Sequence, residues 1–458
     1  MSKYQAIDQY LEKHFLRSID ELCRLCSIPS VSATGEGIEK CAVKVVEMLE
    51  KRGFAVELLE TGGAPAIFAE RKGRRDDKTL IFYNHYDVQP PEPLDLWVTP
   101  PYKPDIREGK LFARGVDDDK GPFVSRLFAL DAILEADGEL PCNVKFLLEG
   151  EEETGSVHLR QVVEANREKL KADVCVWEGG EVNSSEEPVQ YLGMRGICYV
   201  ELSVETATQD IHSGLGGSIF HNAAWRLVWA LSTLKNAEEK ILIPGFYEHI
   251  EPPTERDVAF MAALPDPSDE YKKRYGMADF LEDYKDGAAL RIAQVFEPTC
   301  TICGLTSGYQ GPGSKTVLPA KASAKVDFRL VPNQTPREVL AKLRAHLDKQ
   351  GFTDVQIKFL GGEGPGRTDP GDPFVQLAVW MAEEIYGKSA QIIPMAGGSG
   401  PNAIFIEVLD VPIVMAGVGY PDAQIHAPNE NIRLDLYMKG AKYITRILKE
   451  YAGNRETP

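Results

Sequence analysis

NVKFLLEG (143–150) is a short, nearly unbroken apolar run followed at once by Glu151-Glu152-Glu153. Its length suits a strand, and its apolar residues occupy both alternating faces. That predicts a strand buried on both sides, as in a parallel sheet. DVCVW (173–177) repeats the pattern and also ends on an acid, Glu178. A helix is expected between them, near residues 156–170. Upstream, AIFAER (66–71) and TLIFYN (79–84) read as strands, and GPFVSRLFALDAILEA (121–136) reads as a helix following Lys120. Helical periodicity also covers about residues 3–26 and 37–51. Strands separated by helical segments imply parallel βαβ units.

The character changes near Gly193. ICYVELSVE (197–205) and KTVLPAKASAKVDFRLV (315–331) alternate like strands with one exposed face. Helices are expected near 219–235 and 336–350, with a polar, Pro-rich region at about 244–290. The Gly/Pro cluster GGEGPGRTDPGDP (361–373) reads as a linker. After it the first pattern returns: a helix near 373–386, the strand VPIVMAGV (411–418) and a closing helix over 433–451. The fold class is therefore α/β: a mostly parallel-sheet domain interrupted by an inserted α+β domain on an antiparallel sheet. The boundaries expected are 1–195 with 361–458 for the first domain and 196–360 for the second.

Composition agrees with this. At roughly 150 residues per domain, 458 residues suggest two or three domains. The 51 basic and 69 acidic residues leave a net charge of −18, which repels phosphate backbones and anionic membrane surfaces. Neither nucleic acid nor a membrane is expected as a partner. The opening MSKYQAIDQYLEKHF lacks the basic start and apolar core of a signal peptide, so a cytoplasmic location is expected. The eight cysteines should then be thiols. Cys23/Cys26 and Cys300/Cys303 have CxxC spacing, but the first pair shares an apolar helix face. The second lies in a strand-like run pointing to opposite faces, so both read as small buried hydrophobes rather than a zinc site.

Five loops carry chemistry: Asn84-His85-Tyr86-Asp87, Asp117-Asp118-Asp119, Glu151-Glu152-Glu153, Glu178 and His426. Four of the five follow the C-terminal end of a predicted strand, the edge along which open α/β sheets place their ligand sites. Residues 340 positions apart can thus converge on one crevice. Crowded carboxylates need a counter-charge, and no run of Lys or Arg accompanies them in the sequence. Divalent metals would supply it, and His with Asp/Glu is a suitable donor set. Asp118, Glu153 and Glu178 bring three negative charges, and His85 and His426 are neutral. Two divalent ions and one bridging hydroxide balance them. The tandem Glu152-Glu153 lets one carboxylate bind metal while the other handles protons. Taken singly, each loop has a plainer reading: the Asp run as helix capping and the Glu run as a solvated turn. His14, His158, His221, His249 and His346 read as structural or surface groups.

In this arrangement the chain resembles the M20 family of metallopeptidases, over nearly its whole length. The carrying motifs are CSIPSVSA (26–33), NHYDVQP (84–90), ARGVDDDKGP (113–122), EGEEETGS (149–156) and IHAPNENI (425–432), in the family's order. RGICYVEL (195–202), DIHSGLGG (210–217) and DFRLVPNQTP (327–336) most resemble the branch of carnosine and cysteinylglycine dipeptidases. The resemblance implies two divalent ions per chain, zinc or manganese with cobalt also compatible. It implies that His85, Asp118 and Glu178 bind the first ion, with Asp118 shared, and that Glu153 and His426 bind the second. Asp87 would orient His85, and a cis peptide would join Asp118 to Asp119. Glu152 would be the general base and acid. His212 would stabilise the oxyanion, often in a neighbouring subunit's site, though a turn-capping His fits the same sequence. Arg329 would receive a substrate carboxylate, and Gly397-Gly398-Ser399 would form a substrate loop; a solvated Arg and a helix start before PNAIFIEV are the plainer readings. The inserted domain would act as a lid and form a homodimer contact.

The implied function is metal-dependent hydrolysis of the amide bond in dipeptides or short peptides. An N-acyl amino acid deacylase of the same fold would use the same metal chemistry on a different substrate. A non-catalytic binding protein closing on a solute would also suit two domains and a cleft. The intact ligand set and the spare Glu152 argue against that third reading.

Overall fold

The computed structural model describes residues 3–453. The chain divides into two compact units. One takes in the chain up to Gly193, Arg367–Pro394 and the chain from Pro401; the other comprises Met194–Gly366 and Met395–Gly400.

The first unit is built on a six-stranded sheet. Its strands run in the order Ala55–Leu59, Ala66–Arg71, Cys142–Glu149, Arg75–His85, Val174–Trp177 and Ile413–Met415. The last four are mutually parallel, and the first two add antiparallel at one edge. The sheet is thus mainly parallel, as the doubly apolar strands require. Every residue of Cys142–Glu149 and of Val174–Trp177 is buried. Helices Gln5–Cys26, Lys120–Asp137 and Leu434–Ala452 pack together, and Leu22, Leu127, Leu130 and Ile444 share a core with Phe82, Val144 and Phe146 of the sheet. Helix Lys120–Asp137 is buried almost all round from Lys120 to Leu130.

The second unit holds an antiparallel sheet in the order Thr301–Ser307, Lys321–Leu330, Gly196–Glu205, Gln356–Glu363. Burial alternates residue by residue along Gly196–Glu205, so one face is packed and the other open. Val200 and Leu202 of that strand, with Val326 and Phe328 of its neighbour, bury against Leu227 of helix Ala223–Ser232 and Leu343 of helix Pro336–Lys349. The second helix starts cleanly because Thr335 accepts the Glu338 N–H and Pro336 needs no partner for its own nitrogen.

Three local expectations change. The helix near 156–170 is two short ones, Leu159–Ala165 and Arg167–Leu170, broken at Asn166. The polar stretch after 244 holds three helices: Glu255–Ala263, Ser268–Tyr275 and Gly287–Phe296. Each spans at most ten residues, too few turns to display a periodic stripe. The Gly/Pro linker begins inside a strand, because Gly361–Glu363 still pair with Ile197–Tyr199. Cys26 is buried in the first core and Cys300 in the second, while Cys303 is exposed on the opposite face from Cys300. Among the described residues no helix is long and apolar enough to cross a membrane.

Candidate metal centre

The parallel strands end together. His85 closes Arg75–His85 directly opposite Glu149, the last residue of Cys142–Glu149. Glu178 follows the end of Val174–Trp177. The acidic turn Glu152–Thr154 comes three residues after Glu149. Gly150 in that connection is obligatory, since a Cβ there would lie 2.5 Å from the Tyr86 ring. The ring and this backbone therefore pack flush, which fixes where Glu152 and Glu153 emerge.

All seven predicted residues of the metal site lie in the first unit and converge. Asp118 stands at the centre. Its Oδ1 is 2.8 Å from His85 Nε2, and its Oδ2 is 3.0 Å from His426 Nε2. His426 Nε2 is also 3.0 Å from Glu153 Oε2, and His85 Nε2 is 3.7 Å from Glu178 Oε2. One carboxylate thus faces two imidazoles, each with a further carboxylate beyond it. Asp87 serves both sides of the site. His85 Nδ1 is 3.1 Å from its carbonyl and 3.3 Å from its Oδ1. Its carboxylate also accepts the backbone N–H groups of Glu152 and Glu153 at 3.3 and 3.0 Å. Gln89 donates to Glu153 Oε2 at 2.8 Å. The Asp118–Asp119 peptide is cis, as the resemblance implied.

The plainer reading of the Asp run does not describe the geometry. Asp119 occupies the N-cap of helix Lys120–Asp137 without a side-chain cap bond. Its Oδ2 accepts from Asn84 Nδ2 and from the His85 N–H instead. His85, Asp119 and Glu178 also lie within ligating reach of one another, as do His85, Asp118 and Glu153. Asp119 was not among the predicted ligands.

The acidic crowding calls for added positive charge. Burial pushes the Glu152 carboxyl up to about 8, with Asp118 and Glu153 adding and His85 opposing. Burial also drives Glu178 well above the carboxylate range, with the Glu152 charge adding. Hydrogen bonding to Asp118 and Glu153 raises the His426 imidazole to about 10. Asp118 is held below its ordinary range because the bonds to His426 and His85 outweigh its burial. Protons thus supply the counter-charge. Divalent ions would displace them, because ligation requires neutral His and ionised carboxylates. The fit to a metal is direct: Glu178 Oε2 and Asp119 Oδ1 are buried without a hydrogen-bond partner among the described residues. The donor set is the oxygen-and-imidazole mixture that zinc and manganese accept.

Two buried cations stand beside the site that the sequence reading did not find. Arg126 lies on helix Lys120–Asp137 and is fully buried. Arg114 pairs with Glu430 at 2.8 Å, both side chains 1% exposed. Glu430 also accepts the N–H groups of Gly115, Asp117 and Asp118 at 2.8, 2.9 and 3.2 Å. It follows His426 by four residues in one loop, so this carboxylate ties the His426 loop to the Asp118 loop. The motif IHAPNENI contained it; only the imidazole was read as functional. Breaking a buried pair strands a charge, at a cost of ~3–5 kcal/mol. Glu430→Ala should therefore lose about that much stability in urea unfolding of the metal-free chain, a loss that Arg114→Met/Glu430→Met together should partly recover.

In the second unit, His212 is exposed and its Nδ1 accepts the Gly214 N–H at 3.0 Å. The capping reading is thus realised. It also leaves the neutral ring's proton on Nε2, where it can be donated. Arg329 Nη1 donates to Ser399 Oγ at 2.7 Å, and Gly398 O accepts the Arg195 N–H at 3.0 Å. The predicted carboxylate receptor and the Gly-rich loop therefore meet within this unit.

The model of peptidase family M20/M25/M40 matches residues 81–450. The chain belongs to that family. An M20 metallo-carboxypeptidase, Sso-CP2 from Sulfolobus solfataricus, is 38% identical with a TM-score of 0.90, covering 95% of this chain and 99% of that one. The dipeptidase Dug1p of Saccharomyces cerevisiae is 25% identical with a TM-score of 0.84, both chains covered in full. The human Beta-Ala-His dipeptidase is 30% identical over 472 residues, which is 98% of this chain and 92% of that one. This M20 chain is accordingly a metallopeptidase, a hydrolase of peptide bonds.

Proposed function

We propose that this metallopeptidase cleaves dipeptides and short peptides with two divalent ions, zinc or manganese, and Glu152 as its proton carrier. His85, Asp118 and Glu178 would hold one ion, and Asp118, Glu153 and His426 the other. The observation that carries the reading is the Asp118 carboxylate, whose two oxygens face two different imidazoles at 2.8 and 3.0 Å. Bound there, the ions would acidify the attacking water and polarise the scissile carbonyl. Glu152 takes the proton from the attacking water and returns it to the leaving amine. His212 donates Nε2–H to the developing oxyanion. Arg329, with its guanidinium fork, receives the substrate carboxylate beside Ser399.

The first and last parts of the chain (1–195 and 361–458) would form the catalytic domain. Residues 196–360 would form a lid that also makes a homodimer. Supporting the dimer, Trp225 and Trp229 stack at 5.9 Å on an exposed helix face, with Leu215, Ile219 and Phe220 exposed nearby in sequence. Apolar surface of that kind marks contact with protein. If His212 serves the partner's site, mixing His212→Ala with Glu152→Ala chains should restore part of the activity: one site in each mixed dimer, about a quarter of all sites after random exchange of equal amounts. No recovery after proven subunit exchange places His212 in its own site. A cytoplasmic location belongs to the same proposal, supported by cysteines that are unpaired and mostly buried.

The test measures metal per chain alongside hydrolysis of three substrate classes. Two ions with chelator-sensitive dipeptide cleavage support the proposal. Release of C-terminal residues from longer peptides would favour the carboxypeptidase reading, which the resemblance to Sso-CP2 recommends. Activity confined to N-acyl amino acids would favour the deacylase. A chain that takes up neither zinc nor manganese would overturn the site.

A further inference from the structure

A cation in the middle of a helix buried on every side is costly unless something uses it. Helix Lys120–Asp137 carries Arg126 in that position, fully buried between Ser125 and Leu127. The guanidinium has no carboxylate hydrogen-bonded to it among the described residues. It donates instead to the carbonyls of Tyr83 and Trp177 and to Asn84 Oδ1, the first at 2.6 Å. Those acceptors belong to two neighbouring parallel strands. The pairing between the strands runs through Leu80–Val174 and Ile81–Cys175 and stops at Phe82–Val176. The next residue on each strand is the one that Arg126 grips. Beyond them stand Asn84 and His85 on one strand and Glu178 on the other. The Tyr83 and Trp177 rings stack at 3.9 Å, so these strand ends are also packed together. Asn84 passes the link onward, accepting from Arg126 and donating to Asp119, which also holds the His85 N–H.

We infer that Arg126 is a positioning residue for the metal centre: it replaces the strand ladder where that ladder ends and fixes the spacing of His85 and Glu178. This rests on the two-metal reading above. A guanidinium can do it because its planar fork reaches several acceptors at once, and a lysine ammonium presents a single point. Residues that orient metal ligands without touching the ion are typically worth about 10–100-fold in affinity.

The experiment titrates metal-free chain with Zn2+ calorimetrically and records the visible spectrum after loading with Co2+. Glu178→Ala identifies the binding step that depends on Glu178. Arg126→Lys keeps the buried charge and should remain folded even where Arg126→Met does not. The expected result is a loss of about 10–100-fold in that step for Arg126→Lys, with a changed Co2+ spectrum and the other step close to wild type. A purely structural role would lower the melting temperature of the metal-free variant and leave both readouts unchanged. Folded Arg126→Lys with both wild-type affinities and a wild-type spectrum overturns the inference alone. A wild-type chain that binds no Zn2+ and no Co2+ overturns the metal reading, and the inference with it.

Discussion

Glu152→Ala should keep both metal ions and lose turnover. Glu152 and Glu153 are adjacent, yet the structure treats them differently. The Glu153 carboxylate is engaged by His426 at 3.0 Å and by Gln89 at 2.8 Å. Glu152 is anchored through its backbone, whose N–H is held by Asp87. Removing the Glu152 side chain therefore leaves every contact to the proposed ligands in place. It also removes an acidic group that crowds Glu178. Metal binding should be unchanged or slightly improved in Glu152→Ala. A positioned acid–base group contributes about 10²–10⁴-fold, so kcat should fall by that factor while metal per chain stays at the wild-type value. Glu152→Gln should behave in the same way, because the amide fills the space but carries no proton back and forth. The check is metal content by elemental analysis beside steady-state kinetics on one preparation. Loss of metal in either variant would make Glu152 a ligand, and near-normal turnover would move the proton transfer elsewhere.

The placement of this site was legible because parallel strands advertise themselves. Runs apolar on both faces, such as NVKFLLEG and DVCVW, have one home in a fold of this size, and acids immediately after them can only gather along one sheet edge. The antiparallel sheet was equally readable from the alternation in ICYVELSVE. What stayed hidden is what surrounds the proposed ligands. Arg126 sits in an apolar helix pattern that one charge does not disturb, and its acceptors are backbone carbonyls, which no side-chain motif records. Glu430 was visible as an acid near His426, but its partners are mostly N–H groups 312 to 315 residues away. The short helices between 255 and 296 were missed because each spans at most ten residues, too few turns for a periodic stripe. The candidate site is formed at strand ends, which sequence displays, and is surrounded by buried backbone contacts, which it does not.

Asp118→Ala should remove more metal than the loss of any other single ligand. Each of the other four proposed ligands faces one side of the site, whereas Asp118 faces both imidazoles. Its two oxygens are the sole group common to both proposed ions, so losing them weakens both binding steps. His426→Ala should spare the ion held by His85 and Glu178; Asp118→Ala should not. Retained metal should thus fall from two per chain toward one in His426→Ala, and below one in Asp118→Ala, after exchange into metal-free buffer. The same order should appear in thermal melting. A ligand present at about 100 times its Kd stabilises by about 2.7 kcal/mol, so wild-type chain should melt measurably higher with Zn2+ than without. In Asp118→Ala that difference should vanish, whatever the substitution does to the metal-free melting point. Comparing loaded with unloaded protein for each variant separates the metal's contribution from the fold's. An Asp118→Ala chain that keeps two ions, or a Zn2+-dependent melting shift equal to wild type, would show that the two imidazoles are not joined through this carboxylate.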